Sequence, residues 1–98
     1  MTMYSVKIHR GASGEVLAVC DEDILGQTFE EGQLRIKVGE GFYKGDIVEE
    51  AVLIEHLGRA RLINIVGNCS VDIAIREGLV DADCVISIGG VKHAQVLR

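Results

Sequence analysis

Short segments in which apolar and polar residues alternate constrain the fold of this chain more than any other feature. The clearest covers residues 33–38, and another covers residues 4–8. A period of two is typical of a β-strand that buries one face. Residues 16–20, 85–88 and 91–97 are also expected to be strands, and a glycine-rich turn joins the first two segments of the chain into a hairpin.

A helix is expected in the middle of the chain, where the apolar spacing changes. Asp46 and Glu49 stand in capping-box spacing, which predicts that the helix starts there and ends near Gly58. The residues with the spacing of a core-facing stripe are Ile47, Ala51, Ile54 and Leu57, broadened by Val48 and Val52.

Three smaller features complete the pattern. Asp21 is expected to cap a single helical turn. Residues 62–66 fit either a short strand or the start of a helix, and periodicity does not separate the two. A second helix is expected to begin at Asn68 or Ser70 and to end at Gly78, which suits a left-handed terminal position.

The resulting order of strand, strand, strand, helix, helix, strand and strand lacks the strict alternation of a doubly wound fold. We expect a single α+β domain over residues 1–98. It should contain a mixed or mostly antiparallel sheet of about five strands, with two main helices on one face.

The chain is acidic, with 15 Asp and Glu residues against 10 Lys and Arg residues and a net charge of −5. This balance disfavours nonspecific capture by nucleic acid or by an anionic membrane, although a local basic face is compatible with it. The aromatic fraction of 4% counts against aromatic platforms for single-stranded bases.

Three observations bear on the compartment. No apolar run approaches the roughly 18 residues that a transmembrane helix needs, and the first residues lack the pattern of a signal peptide. Cys20, Cys69 and Cys84 have the spacing of neither a disulfide framework nor a zinc site. We expect a cytoplasmic protein without a bound metal or cofactor, whose thiols are reduced and for the most part buried, Cys20 and Cys84 in particular.

The segment after residue 88 is a candidate ligand site. Gly89 and Gly90 interrupt an apolar run, and Lys92, His93 and Gln95 follow them. Adjacent glycines allow a positive φ or a close approach to a ligand, and the three polar side chains together suit an anion. The same residues also fit a tight hairpin whose polar side chains face solvent.

A second candidate lies at the start of the second helix. Gly67 directly precedes the expected start of the helix, and Asn68 and Ser70 follow it. Free amides at a helix N-terminus attract anions, but ordinary helix capping explains the same residues. If the two glycine loops converge, they would form one site for a phosphate or a nucleotide.

A third candidate is a basic strip, defined as Lys7, His9, Arg10, Arg35 and Lys37. If the first and third strands share a sheet face, these side chains would lie together and suit a phosphate backbone. The alternative is a solvated face neutralised by glutamates on neighbouring strands.

Several blocks of this sequence resemble one small archaeal family, domain of unknown function 424. The blocks are Val6-Lys7-Ile8-His9-Arg10, Val19-Cys20-Asp21-Glu22, Leu25-Gly26, Ile63-Asn64-Ile65-Val66-Gly67, Ala74-Ile75, Gly78-Leu79, Ile88-Gly89-Gly90-Val91 and His93-Ala94-Gln95. The resemblance implies an archaeal cytosolic protein loosely associated with translation. It implies no known reaction.

The sequence is compatible with two functions. The first is a noncatalytic module that binds RNA or a translation-related protein through the basic strip and the His93 loop. The second is a small enzyme or ligand-binding protein whose glycine loops hold an anion. The absence of a catalytic triad, a metal motif or a cofactor fingerprint favours the first.

Overall fold

The computed structural model describes residues 1–98. The strands and helices, in chain order, are β1 (Tyr4–Gly11), β2 (Gly14–Asp21), β3 (Thr28–Glu31), β4 (Leu34–Lys37), α1 (Glu40–Tyr43), β5 (Asp46–Val48), α2 (Glu50–Arg59), β6 (Leu62–Val66), α3 (Asn68–Arg76), β7 (Ile86–Ile88) and β8 (Val91–Leu97). Short 3₁₀ turns lie at Glu22–Ile24 and Ala82–Cys84. No helix is long and apolar enough to cross a membrane.

The main sheet has six strands in the order β5-β1-β2-β6-β8-β7, and β3 and β4 form a separate two-stranded sheet. β2 and β6 run parallel at the centre, whereas all other neighbouring strands are antiparallel. Residues 62–66 are therefore a strand. The predicted α+β class, the mixed sheet and the β1–β2 hairpin are confirmed.

Helices α2 and α3 pack on one face of the main sheet, as predicted, and we call this the helix face. Leu53 and Leu57 of α2 join Val71 of α3 in a core cluster with Val19 and Ile65 of the central strands. Burial of these aliphatic side chains is the main source of stability, because each contributes about 1.5–3 kcal/mol when fully removed from water.

The opposite face of the main sheet is covered at one end only. The cover consists of α1 and the β3–β4 hairpin, which we call the lid. Val38 and Tyr43 of the lid pack against Ala18, Cys20 and Val66 of the sheet. Toward the other end, the lid face is left without a covering element.

The predicted start of the first long helix is wrong. Asp46–Val48 form β5, which pairs with β1, and α2 begins at Glu50. Backbone hydrogen bonds to the sheet edge outweigh the local capping signal here, because tertiary context overrides weak propensities. The buried positions of α2 are Leu53 and Leu57, whereas Ile47 is exposed.

Two predicted strands lie in more exposed positions than their apolar residues indicate. β4 pairs with β3 rather than joining the main sheet, and Leu34 is 51% exposed. β7 is a three-residue edge strand, and Ile86 is also 51% exposed. An alternating pattern identifies a strand but not the sheet that it joins.

All three cysteines are free. Cys20 is fully buried in β2, as predicted, but Cys69 and Cys84 are exposed, so the expectation of burial is wrong for these two. Cys69 lies in the first turn of α3, and Cys84 lies in the 3₁₀ turn before the edge strand β7.

Candidate functional site

Half of the ten lysine and arginine side chains of this acidic protein are paired with a carboxylate. The paired groups are Arg10 with Glu15, Arg35 with Glu30, Lys44 with Glu40, Arg76 with Glu50 and Glu77, and Lys92 with Asp72. Such exposed pairs add little stability, but they cancel local positive charge. The cations that remain unpaired are therefore the ones that can attract an external anion.

The predicted basic strip is not a continuous surface. β1 and β4 belong to different sheets, so Arg35 and Lys37 do not share a sheet face with Lys7 and His9. Within β1, alternation places Arg10 on the opposite face from Lys7 and His9.

The contacts of the strip residues agree with that separation. Lys7 Nζ donates to Gly41 O at 2.9 Å, and Arg35 faces Glu30 at 3.5 Å. The His9 ring stacks on Phe42, with ring centroids 4.6 Å apart. Lys37 is exposed on β4 and has no carboxylate partner. The prediction that the residues of the basic strip share one sheet face is therefore wrong.

The two glycine loops converge in the structure, a point that the sequence left open. Gly67 N donates to Lys92 O at 2.9 Å. The Asn68 side chain bridges the loops, because its Nδ2 donates to Gly90 O at 3.0 Å while its Oδ1 accepts from Lys92 N at 2.9 Å. Gly89 N donates to Glu31 Oε1 of the lid at 2.9 Å. These contacts join α3, β8 and the lid.

A carboxylate of the protein itself occupies the anion-binding end of α3. Asp21 is buried and accepts hydrogen bonds from Cys69 N at 3.1 Å and from Ser70 N at 2.8 Å. Ser70 Oγ donates to the same carboxylate at 2.6 Å. Asp21 thus caps α3, whereas its side chain makes no capping bond to the 3₁₀ turn that follows it.

The polar side chains after the glycine pair point to different faces. Lys92 Nζ meets Asp72 of α3 at 2.8 Å on the helix face. His93 lies on the opposite face, where its Nδ1 bonds with Ile65 O at 2.9 Å. Gln95 shares the face of His93 by strand alternation. Lys92, His93 and Gln95 therefore form no common anion pocket.

A cavity of about 660 Å³ lies at the other end of the sheet, on the helix face. Its floor includes Ile8 and Leu17, and its walls come from the C-terminal end of α2, the β1–β2 turn and the ends of β6 and β8. The basic residues that line it are His56, Arg59, Arg61 and Arg98. We call it the arginine cavity.

The three arginines of this cavity have no aspartate or glutamate partner. Arg98 donates through Nε to Ala60 O at 2.8 Å and through Nη2 to Leu57 O, which satisfies carbonyls at the end of α2. Arg61 Nε donates to Arg98 O at 3.1 Å, and Arg59 has no hydrogen-bond partner in the protein. Guanidinium N–H groups therefore remain available to a ligand.

The His, Cys, Asp and Glu side chains are dispersed over the fold. No group of three or more His, Cys, Asp or Glu side chains is placed to hold a metal ion. The histidines are spread over β1, α2 and β8. The arrangement that stands out is one cavity lined by three guanidinium groups that have no aspartate or glutamate partner, because Glu15, which also lines it, pairs with Arg10.

A family model described as protein of unknown function (DUF424) matches residues 8–98. The chain belongs to the DUF424 family. A crystal structure of an uncharacterized conserved protein from Methanopyrus kandleri has the same fold as this DUF424 chain, with a TM-score of 0.75. The two are 26% identical, and the match covers 98% of this chain and 94% of that one. None of the curated proteins matches this chain.

Sequence reasoning missed the arginine cavity of this DUF424 chain. Arg59 and Arg61 lie just before β6 without an adjacent acidic residue, which is a weak local signal. Arg98 joins them because β6 and β8 are antiparallel with Leu62 opposite Leu97. That pairing connects positions 37 residues apart, as counted from residue 61 to residue 98, and no local pattern contains it.

Proposed function

We propose that this protein is a noncatalytic module that binds RNA by holding phosphate groups in the arginine cavity. The observation that carries the proposal is the concentration, at one cavity of a chain whose net charge is −5, of three guanidinium groups that have no aspartate or glutamate partner. Guanidinium groups present several N–H donors in a planar fork that matches phosphate oxygens.

The shape of the arginine cavity also supports a nucleotide ligand over a simple ion. Its volume of about 660 Å³ falls within the range of sites for small organic ligands, which is about 300–1,000 Å³. The apolar floor of Ile8 and Leu17 can contact a sugar or a base. The acidic remainder of the surface would repel nucleic acid elsewhere and limit binding to this cavity.

The glycine loops offer less support for the rival ligand site. Their convergence satisfies the donors of Gly67, Ser70 and Gly89 within the protein. An incoming phosphate would have to displace Asp21 or break the junction with β8. The arginine cavity demands no such rearrangement.

The test is RNA binding measured by fluorescence anisotropy with a labelled hairpin that carries a single-stranded tail. We expect the wild type to bind at about 50 mM salt and to weaken steeply toward about 200 mM, because phosphate contacts release counterions. The double variant Arg59→Gln, Arg61→Gln should bind at least about tenfold more weakly and lose about two units of salt slope.

The matched control is the double variant Arg35→Gln, Lys37→Gln on β4, which removes the same charge from an exposed part of the basic strip. It should bind like the wild type. No binding at low salt would exclude RNA as the ligand, and an equal loss in the control would show that only net charge matters.

A further inference from the structure

The lid face of the main sheet becomes progressively exposed away from the lid. Along β8 the inward position Val91 is 8% exposed, whereas Leu97 is 82% exposed. The same change occurs along β2 from the fully buried Cys20 and Ala18 to the partly exposed Val16. The end of this face farthest from the lid is therefore an open platform made of sheet residues alone.

Two amide side chains lie next to each other on this platform. Asn64 of β6 is directly opposite Gln95 of β8. Leu62 and Leu97, the next pair along the same strands, lie on the same face by alternation and form its apolar end. Gln95 is exposed and has no hydrogen-bond partner in the protein.

Tyr43 fixes the orientation of the Asn64 amide. The Tyr43 hydroxyl lies 2.5 Å from Asn64 Oδ1. Burial, followed by the nearby Cys20, raises the pKa of Tyr43 to about 12, so the hydroxyl keeps its proton and donates a hydrogen bond to Asn64 Oδ1. The Asn64 Nδ2 group is left as a donor, and solvent reaches it because no buried side-chain nitrogen or oxygen lacks a partner.

The open platform and the arginine cavity lie on opposite faces of the main sheet and meet at one end of it. Leu62 and Leu97 line that cavity as well as the platform. Arg61 directly precedes Leu62, so alternation places its side chain on the helix face, whereas Leu62 and Asn64 share the lid face at a separation of about 6.6 Å. An RNA strand whose phosphates contact the arginines can pass around this end of the sheet and place an unpaired base over Leu62 and Leu97, within reach of Asn64.

We propose that this platform is a nucleobase subsite, in which Asn64 Nδ2 donates a hydrogen bond to a carbonyl oxygen of one unpaired base of the RNA. The subsite rests on the proposed RNA-binding function. The base packs against Leu62 and Leu97, and Gln95 contacts its neighbouring edge. The site holds one base by an amide and aliphatic contacts, consistent with the low aromatic content.

The fixed orientation of the Asn64 amide also determines which base the subsite prefers. A free asparagine pairs with adenine by using its donor and its acceptor together. Asn64 has its acceptor engaged by Tyr43, so its donor suits a carbonyl oxygen instead. Adenine is the one common RNA base without a carbonyl oxygen. Uracil should therefore bind better than adenine.

The experiment compares affinities for oligo(U) and oligo(A) of equal length, whose phosphates are identical. We expect the wild type to prefer oligo(U) by about 5- to 10-fold, the size of one favourable hydrogen bond. Asn64→Asp retains an acceptor for the Tyr43 hydroxyl but replaces the donor with a carboxylate oxygen. This variant should lose or reverse the preference.

Two further variants separate base recognition from charge and stability. Tyr43→Phe leaves the Asn64 amide free to turn, and the ratio of the two affinities should fall toward one. Gln33→Glu introduces a similar charge in the exposed turn between β3 and β4, and it should leave the ratio unchanged. Thermal unfolding of each variant checks that it is folded.

The outcomes distinguish the two proposals. If the ratio of the affinities for oligo(U) and oligo(A) is the same in the wild type and in Asn64→Asp, the subsite is overturned. The RNA-binding proposal survives that result if binding still depends on Arg59 and Arg61. Titration of uridine monophosphate into ¹⁵N-labelled protein tests the subsite without an oligonucleotide. The Asn64 side-chain amide resonances should shift more than with adenosine monophosphate, and unchanged resonances overturn the subsite.

Discussion

Asp21 joins parts of the molecule that are far apart in the sequence. It ends β2, and its carboxylate accepts from two amides and one hydroxyl at the start of α3. Gly67 allows this approach, because a Cβ at that position would lie 2.6 Å from Asp21 Cγ. The glycine that was a candidate for ligand binding thus makes room for an internal cap.

Two glycines with nearly the same backbone conformation test this role. Gly14 has φ of +120° with open space around it, whereas Gly67 has φ of +119° and faces Asp21. Gly14→Ala should cost about 1–3 kcal/mol through backbone strain alone. Gly67→Ala should cost at least about 1–3 kcal/mol more, because the displaced carboxylate leaves buried donors without a partner.

Urea denaturation of the two variants measures this difference. Similar losses of unfolding free energy in Gly14→Ala and Gly67→Ala would show that Asp21 moves aside freely and that its capping contacts contribute little.

At the scale of elements, position in the fold separates segments with similar apolar content. α2 presents the fully buried Leu53 to the core of the helix face, whereas β4 presents Leu34 at 51% exposure. Both leucines belong to amphipathic segments that the sequence identifies. The difference arises because α2 crosses the main sheet and β4 lies in the lid.

Leucine truncation should reveal that difference directly. Leu53→Ala is expected to lower the free energy of unfolding by about 2–5 kcal/mol, since it removes buried methyl groups and leaves a cavity. Leu34→Ala is expected to cost less than about 1 kcal/mol. Chemical denaturation of both variants is the measurement, and a loss of more than about 2 kcal/mol at Leu34 would contradict the exposed position of β4.

At the scale of the whole molecule, two buried groups where the lid packs on the main sheet make the free energy of unfolding depend on pH in the alkaline range. Burial raises the pKa of Cys20 from 9.0 to about 12, with the charges of Asp21 and Asp23 acting in the same direction. Burial likewise raises the pKa of Tyr43 from 10.0 to about 12. Both groups therefore keep their protons in the folded protein at pH values where the unfolded chain loses them.

The sign of the pH dependence follows from proton binding. Above about pH 9 the unfolded state binds fewer protons than the folded state, so the free energy of unfolding should fall as pH rises from about 9 to about 12. Cys20→Ala should make this fall shallower, while Cys84→Ala at an exposed site should keep the wild-type slope. Urea denaturation across this pH range measures both slopes, and equal slopes would contradict the assignment to Cys20.

The sequence by itself determined the fold class and many of the local elements, but not β3, α1 or β5. Alternation in residues 4–8 and 91–97 identified β1 and β8, and the glycine at position 78 marked the end of α3, with φ of +77°. These signals depend on a residue and on neighbours within about one helical turn or a few strand positions.

Only the tertiary structure decided which strands share a sheet and which polar groups meet. It separated Arg35 from Lys7, directed Asp21 to the start of α3, and brought Arg98 beside Arg61. The physical reason is that strand pairing and burial depend on residues distant in the chain. Local patterns specify a strand and its apolar face, but the partner across the sheet determines its exposure and its chemical neighbours.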